Sequence, residues 1–123
     1  MKKEAKREAV FEAIRCIIES EGRLAANELS NREEGAYAVL RKYLTSEEAV
    51  QAFEYAVELA CKWAFESWFT AIDGCGADMG FTLALIDADT KEDLAPKDEM
   101  YHDAFSYYVF EREQADSSDQ HPQ

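Results

Sequence analysis

Apolar residues recur at helical spacing from the start of the chain. Over residues 2 to 21, Val10, Ile14, Ile17 and Ile18 share one face, while Glu4, Glu8, Glu12, Arg15 and Glu19 form a polar stripe. That alternation predicts a first helix. Gly22, free to adopt positive φ, is expected to end it, with a short helical turn over residues 24 to 29 before the next element. Asn31 followed by Glu34 reads as a capping box that opens a second helix through Leu44, with Tyr37, Leu40 and Leu44 facing inward and Gly35 weakening it.

The third segment is the strongest pattern. It begins at the cap Thr45-Ser46-Glu47-Glu48 and runs without Gly or Pro to about Ile72. Its polar residues, Glu47, Gln51, Glu54, Glu58, Lys62 and Glu66, recur every three or four positions, and apolar residues fill the rest of the circumference. A helix wetted along one narrow stripe is expected at the centre of the fold, with Phe53, Trp63 and Trp68 as core anchors.

Asp73 and Gly74 close that helix, and a glycine-punctuated loop leads to Phe81-Thr82-Leu83-Ala84-Leu85-Ile86, an apolar run suited to a buried strand. The Asp-rich segment from Asp87 to Asp93 is turn chemistry, so a return strand near residues 92 to 94 would complete a β-hairpin over 81 to 94. Asp98 can cap a last helix, with Tyr101, Ala104, Phe105, Tyr108 and Val109 on one face. A strand over 105 to 110 is the alternative, because that stretch is rich in β-favouring residues. From Gln114 to Gln123 the chain turns polar and is expected to be a disordered tail. The expected fold is therefore α+β and predominantly α. Three or four helices gather around a long central one (about 46–72), with a small hairpin and a C-terminal helix, as one compact acidic domain over 1–113.

Composition sharpens this picture. A chain of 123 residues can bury roughly two thirds of its surface without a metal or disulfides. No apolar run approaches the roughly 18 residues of a membrane span. The charged start from Met1 to Glu8 is unlike a signal peptide, and three cysteines cannot all pair within one chain, so a reducing cytoplasm is the expected compartment.

The net charge is −13, and it is unevenly placed: residues 1–44 carry a net +1 and residues 45–123 a net −14. Such a surface repels nucleic acid and membranes and steers basic partners toward itself. A solubilising role is the plainer alternative.

Catalytic chemistry finds little footing. Cys75 sits between two glycines, but neighbouring Asp73 and Asp78 disfavour its thiolate. Asp87, Asp89, Asp93 and Asp98 fall at positions 1, 3, 7 and 12 of a calcium loop, yet Lys91 takes a ligand position and Glu92 the turn glycine. No zinc spacing or phosphate loop is present, so neither metal nor cofactor is expected. His102 follows Asp98 and Glu99 at one-turn spacing and reads as a paired surface contact. If Tyr101, Phe105 and Tyr108 face inward, Tyr107 and Phe110 point away, as aromatic anchors at an interface would.

These features point to a non-enzymatic protein-binding module whose acidic surface engages and neutralises a basic partner, as an inhibitor or immunity protein does against a nuclease-type toxin. The expected contact residues are Asp73, Asp78, Asp87, Asp89, Glu92, Asp93, His102, Tyr107 and Phe110. The alternative is a homodimer or other homo-oligomer pairing through its aromatic C-terminal segment.

Overall fold

The first helix does not stop at Gly22. In the structure, a computed structural model describing residues 1–76 and 78–112, α1 runs through it over Lys3–Asn31. It is followed by α2 (Ala36–Arg41), α3 (Glu47–Ile72) and α4 (Tyr101–Ser106), which continues as a π-helical turn over Tyr107–Glu111. The expected tail at 114–123 lies outside the described residues. The chain's contacts divide it into two units, one of Met1–Arg15 with the chain from Ala64 onward, the other Cys16–Trp63.

The first unit holds an aromatic core. Phe11 of α1, Phe69 of α3 and Phe105 of α4 are fully buried, with ring centroids 5.0 to 5.4 Å apart. Phe11 meets Phe69 and Phe105 edge to face, an arrangement that places positive ring edges against negative faces. Leu94, Pro96, Tyr101, Ala104 and Val109 are buried with them. The inward face expected for the last helix is thus present, and the strand alternative over 105–110 is not. Tyr108 is half-buried, and its hydroxyl reaches Glu12 on α1 at 2.6 Å.

The expected β-hairpin is absent: the described residues contain no sheet, only an isolated antiparallel bridge between Ile86 and Asp93. The reason is competition for backbone groups. The Leu85 N–H donates to the Tyr101 hydroxyl rather than to a neighbouring strand, and Phe81, expected to be buried, is 67% exposed. Asp87 then turns the chain with its side chain, accepting from the N–H groups of Asp89 and Thr90. With a bridge but no ladder, the apolar run from 81 to 86 is an irregular segment tied down at its end.

In the second unit, Ile18, Ala25 and Leu29 of α1 are buried, and Gly22 lies among them. A Cβ at Gly22 would stand 2.6 Å from Glu58 Cγ and 3.2 Å from the Glu54 carbonyl, so glycine is needed here for helix approach rather than termination. The second helix is shorter than expected. Gly35, at φ 84°, holds its N-terminal boundary, and Arg41 reaches back to the Leu29 and Ser30 carbonyls at 3.3 and 3.1 Å. Tyr37 meets Phe53 edge to face at 6.3 Å.

The central-helix expectation is also corrected. Phe69 is the buried residue of α3, whereas Trp63 and Trp68 are 58% and 52% exposed. A sequence rich in apolar positions all round the helix implies neighbours on several sides, and the described residues do not supply them.

Candidate functional site

Most of the carboxylates expected to form an open acidic surface have internal work. Asp73, just past the end of α3, keeps a side chain only 6% exposed and caps α4 from 28 residues upstream. Its two oxygens accept from the N–H groups of Tyr101 at 2.9 Å and His102 at 2.8 Å, two of the donors that a helix start leaves unpaired. The His102 ring adds a contact, with Nδ1 2.6 Å from the same carboxylate. A carboxylate accepts only, so Nδ1 carries the hydrogen. Asp98 does not cap this helix, and His102 pairs with Asp73 and Asp103 rather than with Asp98 or Glu99.

Three further acids hold the 85–95 segment in the first unit. Lys6 of α1 places its ammonium 2.8 Å from Asp87 and 3.0 Å from Glu92. The Lys6 bond, then the bonds from Asp89 and Thr90, hold the Asp87 carboxyl down at about 2, and Asp87 and Glu92 together hold Lys6 above its ordinary value. Asp93 accepts from the Tyr101 hydroxyl at 3.1 Å and from the Ala95 N–H at 2.8 Å. Asp89 and Asp78 remain exposed, the latter accepting from the Gly80 N–H. Tyr107 is more than half exposed, as an outward aromatic should be, while Phe110 is half-buried.

On the π-helical turn that follows α4, burial and then the Glu12 carboxylate push the Tyr108 phenol up to about 12. Arg112 lies over the same ring at 5.0 Å and reaches Glu8 at 3.4 Å. A folded pKa raised above the unfolded value near 10 gives stability that is complete below that pH and is lost as pH rises through about 12. An ultraviolet titration of phenolate absorbance is expected to show a late step to which Tyr108 contributes beside Tyr101, whose phenol burial also raises, and Tyr108→Phe to shrink that step and remove its part near pH 12. A curve unchanged by Tyr108→Phe would mean that the Glu12 contact is not held in solution.

Among the described residues no three His, Cys, Asp or Glu side chains converge to hold a metal ion. Cys75 is exposed, with its sulfur 3.6 Å from that of Met100, while the His102 ring sets Nδ1 2.6 Å from Asp73 and Nε2 3.4 Å from Asp103. Cys61 is half-buried, and its thiol is pushed up by burial and then by Glu21 and Glu58, which disfavours the nucleophilic thiolate.

The second unit leaves large apolar residues outward. Ile17 and Leu24 of α1 are about half exposed, and Tyr55 and Trp63 of α3 are more so; of these, Ile17 and Trp63 were expected to face inward. Where Gly22 of α1 meets Glu54 and Glu58 of α3, burial followed by Glu19 and Glu54 holds Glu58 above its ordinary value. The signal for this surface was in the sequence: the apolar circumference of α3 is wider than one partner helix can cover.

Fold and site together define a mostly helical chain with exposed apolar side chains on α1 and α3 and several carboxylates already engaged within its first unit. No protein-family model, curated protein or solved structure matches the chain. No helix among the described residues is long and apolar enough to cross a membrane.

Proposed function

We propose that this chain is a non-enzymatic protein-binding module that engages a basic partner. The observation that supports it most is the pair of tryptophans on α3, each more than half exposed on a chain of net charge −13. Large aromatics left in water mark interaction surfaces and tend to dominate binding energy, while clustered carboxylates speed encounter with a basic protein. The partner class this chemistry suits best is a nucleic-acid-handling protein such as a nuclease-type toxin, whose phosphate-binding surface carboxylates can occupy. The module then acts as an inhibitor in the compartment where that partner is made.

The six loop acids do not contribute alike. Asp73, Asp87, Glu92 and Asp93 are engaged within the first unit, so Asp78 and Asp89 are the ones available to meet a partner there, beside Tyr107. Pairing of two copies through the C-terminal segment draws less support, because Tyr101, Phe105 and Val109 are spent on the core.

The test is crosslinked capture from host cells, followed by surface plasmon resonance on the purified pair. A basic partner is expected, with an association rate that falls about tenfold or more as salt rises from roughly 50 to 500 mM. Trp63→Ser with Trp68→Ser should chiefly accelerate dissociation. An acidic partner, or an association rate indifferent to salt, would sink this reading.

A further inference from the structure

Within the first unit, a cavity of about 260 Å³ opens at the C-terminal end of α3. Ile72, Asp73, Asp78, Met79 and Phe81 are among the residues lining it, and none of the lining residues is basic. Three features of its wall favour a cation. The last turn of α3 carries no basic residue, so the negative end of a 26-residue helix has no counter-charge from its own side chains. Two carboxylates add to that potential: Asp73 is occupied by the Tyr101 and His102 donors, but Asp78 is exposed, and accepting from the Gly80 N–H leaves its oxygens with further acceptor capacity. Phe81, 67% exposed, holds an aromatic ring in water at the same cavity, and a ring face attracts cations.

We infer that this cavity receives an arginine side chain of the basic partner, its guanidinium meeting the Asp78 carboxylate and lying against the Phe81 ring. The inference rests on the protein-binding reading and names the group that is bound. Size, wall chemistry and the shape of the cation choose the occupant. At about 260 Å³ the cavity falls below the roughly 300 Å³ at which small-molecule pockets begin, which suits one long side chain. A calcium ion would need about six or more oxygen ligands, whereas Ile72, Met79 and Phe81 offer apolar wall, against which the carbon stem of a long cationic side chain packs. A guanidinium is planar and weakly hydrated, so it can stack on the ring and fork toward the carboxylate together, which the compact ammonium of lysine cannot.

The probe is the capped peptide acetyl-Gly-Arg-Gly-amide, titrated into the full ¹⁵N-labelled chain and followed by the backbone amide signals. Half-saturation is expected in the millimolar range, with the largest shifts at Gly74, Gly76, Gly80 and Thr82. Peptides with citrulline, a neutral match in shape, or with lysine in place of arginine should bind about fivefold more weakly or less. Asp78→Asn and Phe81→Ser should each weaken the arginine peptide by about threefold or more, and the spectrum of each variant reports that the fold is kept. Absence of shifts, equal binding of the citrulline peptide, or shifts spread evenly over the other acidic segments overturns the cavity as a site. Equal binding of the lysine peptide overturns the choice of a guanidinium. If capture yields a basic partner whose dissociation is unchanged by Asp78→Asn with Phe81→Ser, this inference fails while the broader reading stands; an acidic or salt-indifferent partner removes the broader reading itself.

Discussion

Phe105→Ala is expected to lower the unfolding free energy by about 3–5 kcal/mol, a large share of the roughly 5–15 kcal/mol that holds a domain of this size. The side chain has no exposed surface, and its ring stands 5.0 Å from Phe69, 5.3 Å from Phe11 and 6.4 Å from Phe65. Truncation removes the transfer energy of a benzyl group and leaves a cavity bordered by three rigid rings, which cannot collapse to fill it. Trp63→Ala is the contrast: with more than half its surface already in water, it should cost less than about 1 kcal/mol. Urea denaturation of both variants checks the pair. Equal losses would mean that Trp63 is packed in solution and that the aromatic cluster is not the principal core.

Asp73→Ala is expected to cost about 2–3 kcal/mol although it removes no apolar contact. Two backbone N–H groups lose a charged acceptor, His102 loses the partner that fixes its ring, and the carboxylate that did this is almost wholly enclosed. α4 is only six residues long and cannot recover the loss from its own propensity. Asp73→Asn keeps one acceptor oxygen and should fall between alanine and wild type. If Asp73→Ala unfolded at the wild-type urea concentration, water would have to be satisfying the start of α4, and the enclosed cap would be wrong. Neutralising the loop acids as a group is therefore expected to destabilise the first unit, whereas Asp78→Asn with Asp89→Asn should not.

Sequence reasoning recovered what local periodicity encodes. The helical character of residues 3–21 and 47–72 and the inward face of 101–109 were legible, because each repeats its apolar residues at helical spacing. Gly22 misled because a glycine that ends a helix and one that admits a neighbouring helix look alike in a single chain. The run from Phe81 to Ile86 misled because β propensity describes a residue's fit to a pleated surface, and no second strand offers that surface. Asp73 and His102 were both singled out, but their joining across 28 intervening residues could not be read from spacing.

The sequence by itself determined the place of the long helix over residues 47–72, the start of the first helix and the acidity of the chain after residue 44, since these depend on residue order alone. Tertiary structure decided which apolar faces are covered and which charges are already used. It buried Phe11, Phe69 and Phe105, left Trp63 and Trp68 in water, and set Lys6 against Asp87 and Glu92. Periodicity tells that a helix face must be buried somewhere, but the partner that buries it is chosen by long-range contacts, and α3 carries more apolar surface than those contacts enclose.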